Sequence, residues 1–207
     1  MRLRFIGVLG ALALSTVAFS APAIEPAPPA LDARLYALAE APSPSRIEAD
    51  IRQLVAFGTR NTLSDTASET RGIGAARRFV RDELERITAA CGGCLEVRMQ
   101  RTLVPGDRAT RIPVDTEVVN VFAILRGRDP SRYVLMAGDI DSRASNPSDG
   151  ETDAPGANDN ASGLAGVLEA ARVLSQAGPR SASIVFAALS GEEQGLYGGA
   201  PLAALAD

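Results

Sequence analysis

Three short acidic clusters stand out: Gly138-Asp139-Ile140-Asp141-Ser142 and Gly191-Glu192-Glu193-Gln194-Gly195-Leu196-Tyr197-Gly198, each directly after an apolar run, and Pro155-Gly156-Ala157-Asn158-Asp159-Asn160-Ala161-Ser162-Gly163, in a loop that runs into a helix. Carboxylates gathered at one edge of a sheet repel, and a bound cation is the natural remedy. The sequence has no histidine. It therefore lacks the commonest metal ligand and the usual general base near neutral pH. It has no lysine either, so arginine carries all the positive side-chain charge. Chemistry in this chain must run on carboxylates, hydroxyls, arginine or metal ions. Two divalent ions about 3.5 Å apart need a ligand that bridges them, and a carboxylate has the two oxygens to do so. A further carboxylate must stay off the metal, take the proton of an attacking water and return it to a leaving amine. Adjacent Glu192 and Glu193, on an extended segment, would point in opposite directions, one toward metal and its neighbour toward substrate. Each cluster has a plainer reading by itself. Asp139 and Asp141 could cap a loop, Asn160 or Ser162 could cap the helix that follows, and Glu192 and Glu193 could be two solvated charges. Their joint occurrence is what favours a site.

The elements that must position these residues can be read from hydrophobic period. Leu95–Gln100 alternates like a half-buried strand. Val118–Leu125 is nearly continuous and apolar, which suits a strand covered on both faces, and Tyr133–Ala137 and Ile184–Leu189 read as further buried strands. Between them, Ala161–Gln176 places Leu164, Val167, Leu168, Ala171 and Leu174 on one helical face. Upstream, Ser45 and Glu48 have capping-box spacing ahead of a helix with Ile47, Ile51, Leu54 and Val55 on one side. A polar loop spans 58–72. A second helix covers about Gly74–Ala89, its arginines and acids solvating the outer face. Strand, helix, strand with apolar cores predicts an α/β sheet with a parallel part. The acidic clusters then lie outside carboxyl ends of strands, where open α/β sheets bind ligands.

The 207 residues fit one ordinary domain, and 46% hydrophobic residues suffice for a core. A net charge of −4 without a basic patch argues against a nucleic-acid partner. Arg2 and Arg4, the apolar run Phe5–Phe19 and the small residues Ala18, Ser20, Ala21 and Ala23 have the layout of a cleaved export signal. The run falls short of the ~20 apolar residues that span a bilayer. The expected organisation is a signal peptide at 1–23, a loose Ala/Pro-rich leader at 24–44 and part of a single catalytic domain at 45–207. The product would be periplasmic or secreted, with no membrane span in the mature chain. Cys91 and Cys94 lie between a helix end and a strand start. A thioredoxin-type motif has the reverse order, and a zinc ribbon needs another cysteine pair. The pair reads as a small disulfide pinning a turn in an exported protein.

Taken together, the clusters resemble the co-catalytic zinc aminopeptidases, peptidase family M28. Members show Gly-His-x-Asp-Ser, then Pro-Gly-Ala-x-Asp-x-Ala-Ser-Gly, then Glu-Glu-x-Gly-Leu-x-Gly. The resemblance covers roughly residues 118–200, and 45–118 more weakly. It implies a three-layer α/β/α fold with a mixed, partly parallel sheet of the zinc-exopeptidase (phosphorylase/hydrolase-like) type, and peptides as substrate. It implies two zinc ions, with Asp159 bridging them, Glu193 as a terminal ligand, Glu192 as general base and Asp141 orienting the first terminal ligand. That first ligand is histidine in the family and Asp139 here. Aspartate can ligate zinc, and the more oxygen-rich site would tolerate Mn²⁺ better. The family draws two further ligands, an aspartate and a histidine, from beyond the point corresponding to Asp207. The chain is therefore expected to be the N-terminal part of a longer enzyme, with its sheet truncated on the C-terminal side. Expressed alone, it is expected to bind metal weakly and hydrolyse nothing. Two other readings compete: a non-catalytic binding module on the same fold, and a glutaminyl cyclase or carboxypeptidase relative. Retention of Glu192 beside a ligand argues against the first. The detail of the second and third motifs argues against the other.

Overall fold

Hydrophobic runs and their periods account for most of the architecture in a computed structural model of the chain, which describes residues 32–178 and 180–204. The expected signal peptide and the start of the leader lie outside the described residues. Six helices run α1 (Ala33–Glu40), α2 (Pro44–Ala56), α3 (Gly72–Ala90), α4 (Ser162–Ser175), α5 (Glu192–Gly195) and α6 (Gly199–Ala203). Four strands, β1 (Leu95–Val104), β2 (Thr116–Leu125), β3 (Asp129–Asp139) and β4 (Ala182–Leu189), form one mixed sheet in the order β1-β2-β4-β3. β1 and β4 both run antiparallel to β2, whereas β3 and β4 are parallel. A parallel pair needs a crossover, and α4 supplies it between β3 and β4.

The sheet is dressed on both faces. On one, Leu54 of α2, Ile73, Val80, Leu84 and Ile87 of α3, and Leu164, Leu168 and Ala171 of α4 pack on Val121, Ala123, Phe186 and Ala188. Each such buried aliphatic side chain contributes about 1.5–3 kcal/mol relative to exposure. On the other face Leu202 of α6 covers Phe122, Ile124 and Ala187. β2 is therefore buried along nearly its whole length, as its continuous apolar run predicts. Cys91 and Cys94 form a disulfide across the turn joining α3 to β1. No helix among the described residues is long and apolar enough to cross a membrane.

Four local expectations need correction. Ala33–Glu40, within the stretch read as a loose leader, is helical because its Ala, Leu, Arg and Glu are good helix formers. α2 starts at Pro44 with Ser43 as N-cap, so Ser45 and Glu48 form no capping box. The fixed φ and missing N–H of proline suit the first helical position and move the start back. Glu48 instead pairs with Arg52 one turn on. Tyr133–Ala137 is not a buried run. β3 is an outer strand of the sheet, and Tyr133, Val134 and Leu135 are 45%, 51% and 55% exposed. Lastly, Glu192 and Glu193 sit in the short helix α5, not on an extended segment. They therefore point about 100° apart, as successive helical residues do, and not to opposite sides.

Candidate active site

The register of the parallel pair brings the acidic clusters together. Asp139, the last residue of β3, lies opposite Leu189, the last residue of β4. The chain leaves both strands at the same sheet edge, one into the loop that reaches Asp159 and the other directly into α5. This is the carboxyl edge at which open α/β sheets bind ligands.

Asp141 ties this edge together. It is 1% exposed, and its carboxylate accepts hydrogen bonds from the backbone N–H groups of Glu192 (3.3 Å) and Glu193 (3.1 Å) and from the Thr62 hydroxyl (3.1 Å). A carboxylate at a helix N-terminus satisfies donors that have no partner inside the helix. Burial pushes the Asp141 carboxyl up to about 7, against the downward pull of these hydrogen bonds. The contact fixes α5, and with it both glutamates, relative to the β3 end.

The loop bearing Asp159 is held by Arg60, which is fully buried. Its guanidinium donates to the carbonyls of Ile140 (2.9 Å), Leu54 (3.0 Å), Pro155 (2.7 Å) and Gly156 (3.0 Å). Its backbone N–H donates to Ser142 Oγ, which in turn donates to the Ala154 carbonyl. Gly156 turns the chain with φ +47°, where a Cβ would lie 2.4 Å from the Asp159 carbonyl oxygen. A non-helical stretch with a cis Asp159–Asn160 peptide bond follows before α4 begins. Asn160 then donates to Asp139 Oδ2 (3.1 Å) and accepts from the Gly163 N–H (3.0 Å), linking the β3 end to the start of α4.

The site is strongly negative. The Glu192 carboxyl is raised above its ordinary value, first by burial and then by repulsion from Asp139, Glu193 and Asp159, with Arg111 opposing. Asp139, Glu193 and Asp159 thus lie within coulombic reach of Glu192. The four do not converge to coordination distance, and among the described residues no three Asp, Glu, Cys or His side chains form a metal-binding cluster. The hydrogen bonds give the reason. Asp139 is turned toward Asn160. Glu193 is paired with Arg143 at 2.5 Å, while Arg111 donates to the Glu193 backbone carbonyl at 2.7 Å. A pocket of about 50 Å³ opens beside Asp139 and Glu192, with Ser190 and Leu196 on its wall. Leu196 holds an uncommon positive φ of 62° and is 66% exposed, an apolar rim next to the acids. By donor chemistry the set fits a divalent cation that accepts oxygen ligands, zinc and manganese included.

Sequence reading missed Arg60, Thr62, Arg111, Arg143 and the bridging role of Asn160. Arg60 and Thr62 fall in a segment that shows only as a polar loop, and arginines near carboxylates are common on any surface. No local pattern distinguishes these contacts.

Comparison with known proteins agrees with the geometry. Residues 120–207 match the model of peptidase family M28. A probable zinc metalloprotease of Leptosphaeria maculans is 46% identical over 176 residues, covering 84% of this chain and 40% of that protein. Another, of Pyrenophora tritici-repentis, is 47% identical over 179 residues, covering 86% and 36%. The chain thus spans at most two fifths of the length of these curated relatives. Among solved structures, the LapA aminopeptidase of Legionella pneumophila superposes with a TM-score of 0.60 at 18% identity, covering 84% of this chain and 41% of that one. A glutaminyl cyclase of Porphyromonas gingivalis superposes at 0.57 and 20%, covering 77% and 51%. At such identities the likeness speaks for the fold. With three motifs in order, two parallel strands delivering them to one edge and curated relatives matching across most of its length, the chain belongs, through residues 120–207, to peptidase family M28.

Proposed function

We propose that this chain carries the acidic half of the active site of a zinc-dependent exopeptidase of the aminopeptidase type, acting on peptide N-termini. The observation that carries the reading is the shared end of β3 and β4, where Asp139 closes one strand, the other runs on into Glu192 and Glu193, and Asp139 and Glu192 line one pocket. Asp159 is assigned as the bridging carboxylate, and Asp139 and Glu193 as terminal ligands. When bound, zinc supplies Lewis-acid activation of water and of the scissile carbonyl. This chain's residues do the rest. Asp141, through the backbone of Glu192 and Glu193, holds α5 in register with the β3 end. Asn160 holds Asp139 through a hydrogen bond to Oδ2 when no cation does. Glu192 borders the small pocket and its carboxylate makes no hydrogen bond to another side chain among the described residues, so its raised affinity for a proton suits it to take one from water and return it to the leaving amine. Arg143 neutralises Glu193 when no cation does. Arg2 and Arg4 with the apolar run Phe5–Phe19 support export, and the Cys91–Cys94 disulfide suits an oxidising compartment.

The test is Glu192→Gln in the natural gene product, assayed on a panel of aminoacyl anilides with zinc content measured in parallel. The expected result is a loss of turnover on the order of 10²–10⁴-fold, the scale of a general base, with metal content unchanged. A variant that kept full turnover would overturn the assignment of Glu192. A wild type that turned over a glutaminyl peptide to its cyclised product, and no anilide, would reassign the activity to cyclisation.

A further inference from the structure

A cavity of about 610 Å³ lies between the start of α3, the 62–66 loop and the β1 and β2 strands. Its wall carries Arg77, Arg78, Arg81 and Arg101 beside two carboxylates, Asp115 and Glu117. Three of the arginines have acidic partners. Arg101 bonds Glu117 at 2.5 Å, Arg81 bonds Asp82 at 2.7 Å and Arg78 lies 3.4 Å from Glu69. Arg77 has none within bonding distance. It is only 6% exposed, and its Nη2 reaches the Glu117 carbonyl at 3.5 Å and Ser190 Oγ at 3.4 Å, beyond the usual hydrogen-bond range. Its Nε finds no partner among the described residues. A buried guanidinium with an unmade hydrogen bond is costly, and native structures rarely leave one so.

We infer that this cavity is a binding site for a small oxyanion, with Arg77 as its buried anchor and Arg81 and Arg101 at its mouth. An oxyanion seated on Arg77 completes the bond that Nε lacks. Phosphate and carboxylate groups both have the oxygen geometry a guanidinium recognises. The cavity adjoins the acidic edge through Thr62, which lines it and bonds Asp141, and through Ser190, but the inference does not rest on the peptidase assignment.

The experiment is a titration of the whole chain with inorganic phosphate and, separately, with citrate. It is followed by calorimetry and by thermal unfolding, with sodium chloride at matched ionic strength as reference. The expected result is a saturable, single-site heat and a rise in melting temperature beyond that in chloride. A stronger response to phosphate identifies a phosphate-type ligand, and a stronger response to citrate a carboxylate. Arg77→Met abolishes the effect. Should that variant not fold, the double variant Arg81→Gln with Arg101→Gln, neither of them buried, decides the matter. It weakens binding by roughly threefold per charge, the effect of a unit charge about 7 Å away in water. Arg52→Gln, on α2, leaves binding unchanged. No response beyond chloride in the wild type, or undiminished binding in the double variant, overturns the inference.

Discussion

Arg60 is where the fold and the site are most tightly coupled, and its replacement by methionine gives the sharpest prediction. Methionine keeps an unbranched apolar stem in a fully buried place while removing every guanidinium donor. Four carbonyls, those of Leu54, Ile140, Pro155 and Gly156, then lose their partner. Hydrogen bonds from a charged group contribute about 1.5–3 kcal/mol each, so four represent about 6 kcal/mol at the low end. Against this stands the cost of burying the cation. Burial lowers the Arg60 pKa from 12.5 to about 10, equivalent to about 3 kcal/mol at 1.36 kcal/mol per pH unit. The net expectation is a loss of about 3 kcal/mol in unfolding free energy, read from urea denaturation at neutral pH. Two of the four carbonyls belong to Pro155 and Gly156, which enter the turn to Asp159. The variant should therefore also speed amide hydrogen exchange across 155–161 more than across β2. A stability loss under about 1 kcal/mol, with exchange at 155–161 unchanged, would refute the view that Arg60 clamps this loop.

Asp50 provides a pH test remote from the acidic edge. Burial, with repulsion from Glu83, raises its pKa from 3.8 to about 6. A raised carboxyl pKa penalises the folded state when the group is ionised. The penalty is complete above pH 6 and vanishes below the unfolded value of 3.8. The shift corresponds to about 3 kcal/mol, reduced to about 1.5 for a half-exposed group. Asp50→Asn should accordingly stabilise the chain by about 1.5 kcal/mol at pH 8 and by nothing measurable near pH 3.8. Equal effects at both pH values would contradict this. For the disulfide, closing so short a loop constrains the unfolded chain by about 2 kcal/mol. Cys91→Ser with Cys94→Ser should lower stability by no more than that, and a reducing agent should do the same to the wild type while leaving the double variant unaffected.

Much of the architecture was legible from residue order. Val118–Leu125 announced a strand buried on both faces, and the helical face of Leu164, Val167, Leu168 and Ala171 announced α4, because a repeating apolar pattern maps directly onto a repeating backbone geometry. The acidic residues that gather at the sheet edge were identifiable for a similar reason. Glycine-flanked carboxylates after two strand ends and before one helix are local patterns, and the three in one order are specific. Exposure of Tyr133, Val134 and Leu135 was not legible. Whether an apolar strand is central or outer depends on which strands lie beside it, and the order β1-β2-β4-β3 is a property of the assembled sheet. The clamp at Arg60 and the tie at Asp141 were hidden for the same cause. They join residues about 80 positions apart along the chain, Arg60 to Ile140 and Thr62 to Asp141, and sequence carries no marker of that separation. What the sequence determined by itself is which residues are available for chemistry: carboxylates and arginines, and no imidazole. Which carboxylate borders the small pocket, which is locked under a helix and which is held by an arginine was decided only by tertiary structure. Hydrogen-bond partners and burial set the direction and charge of each group, and both arise from distant segments brought together.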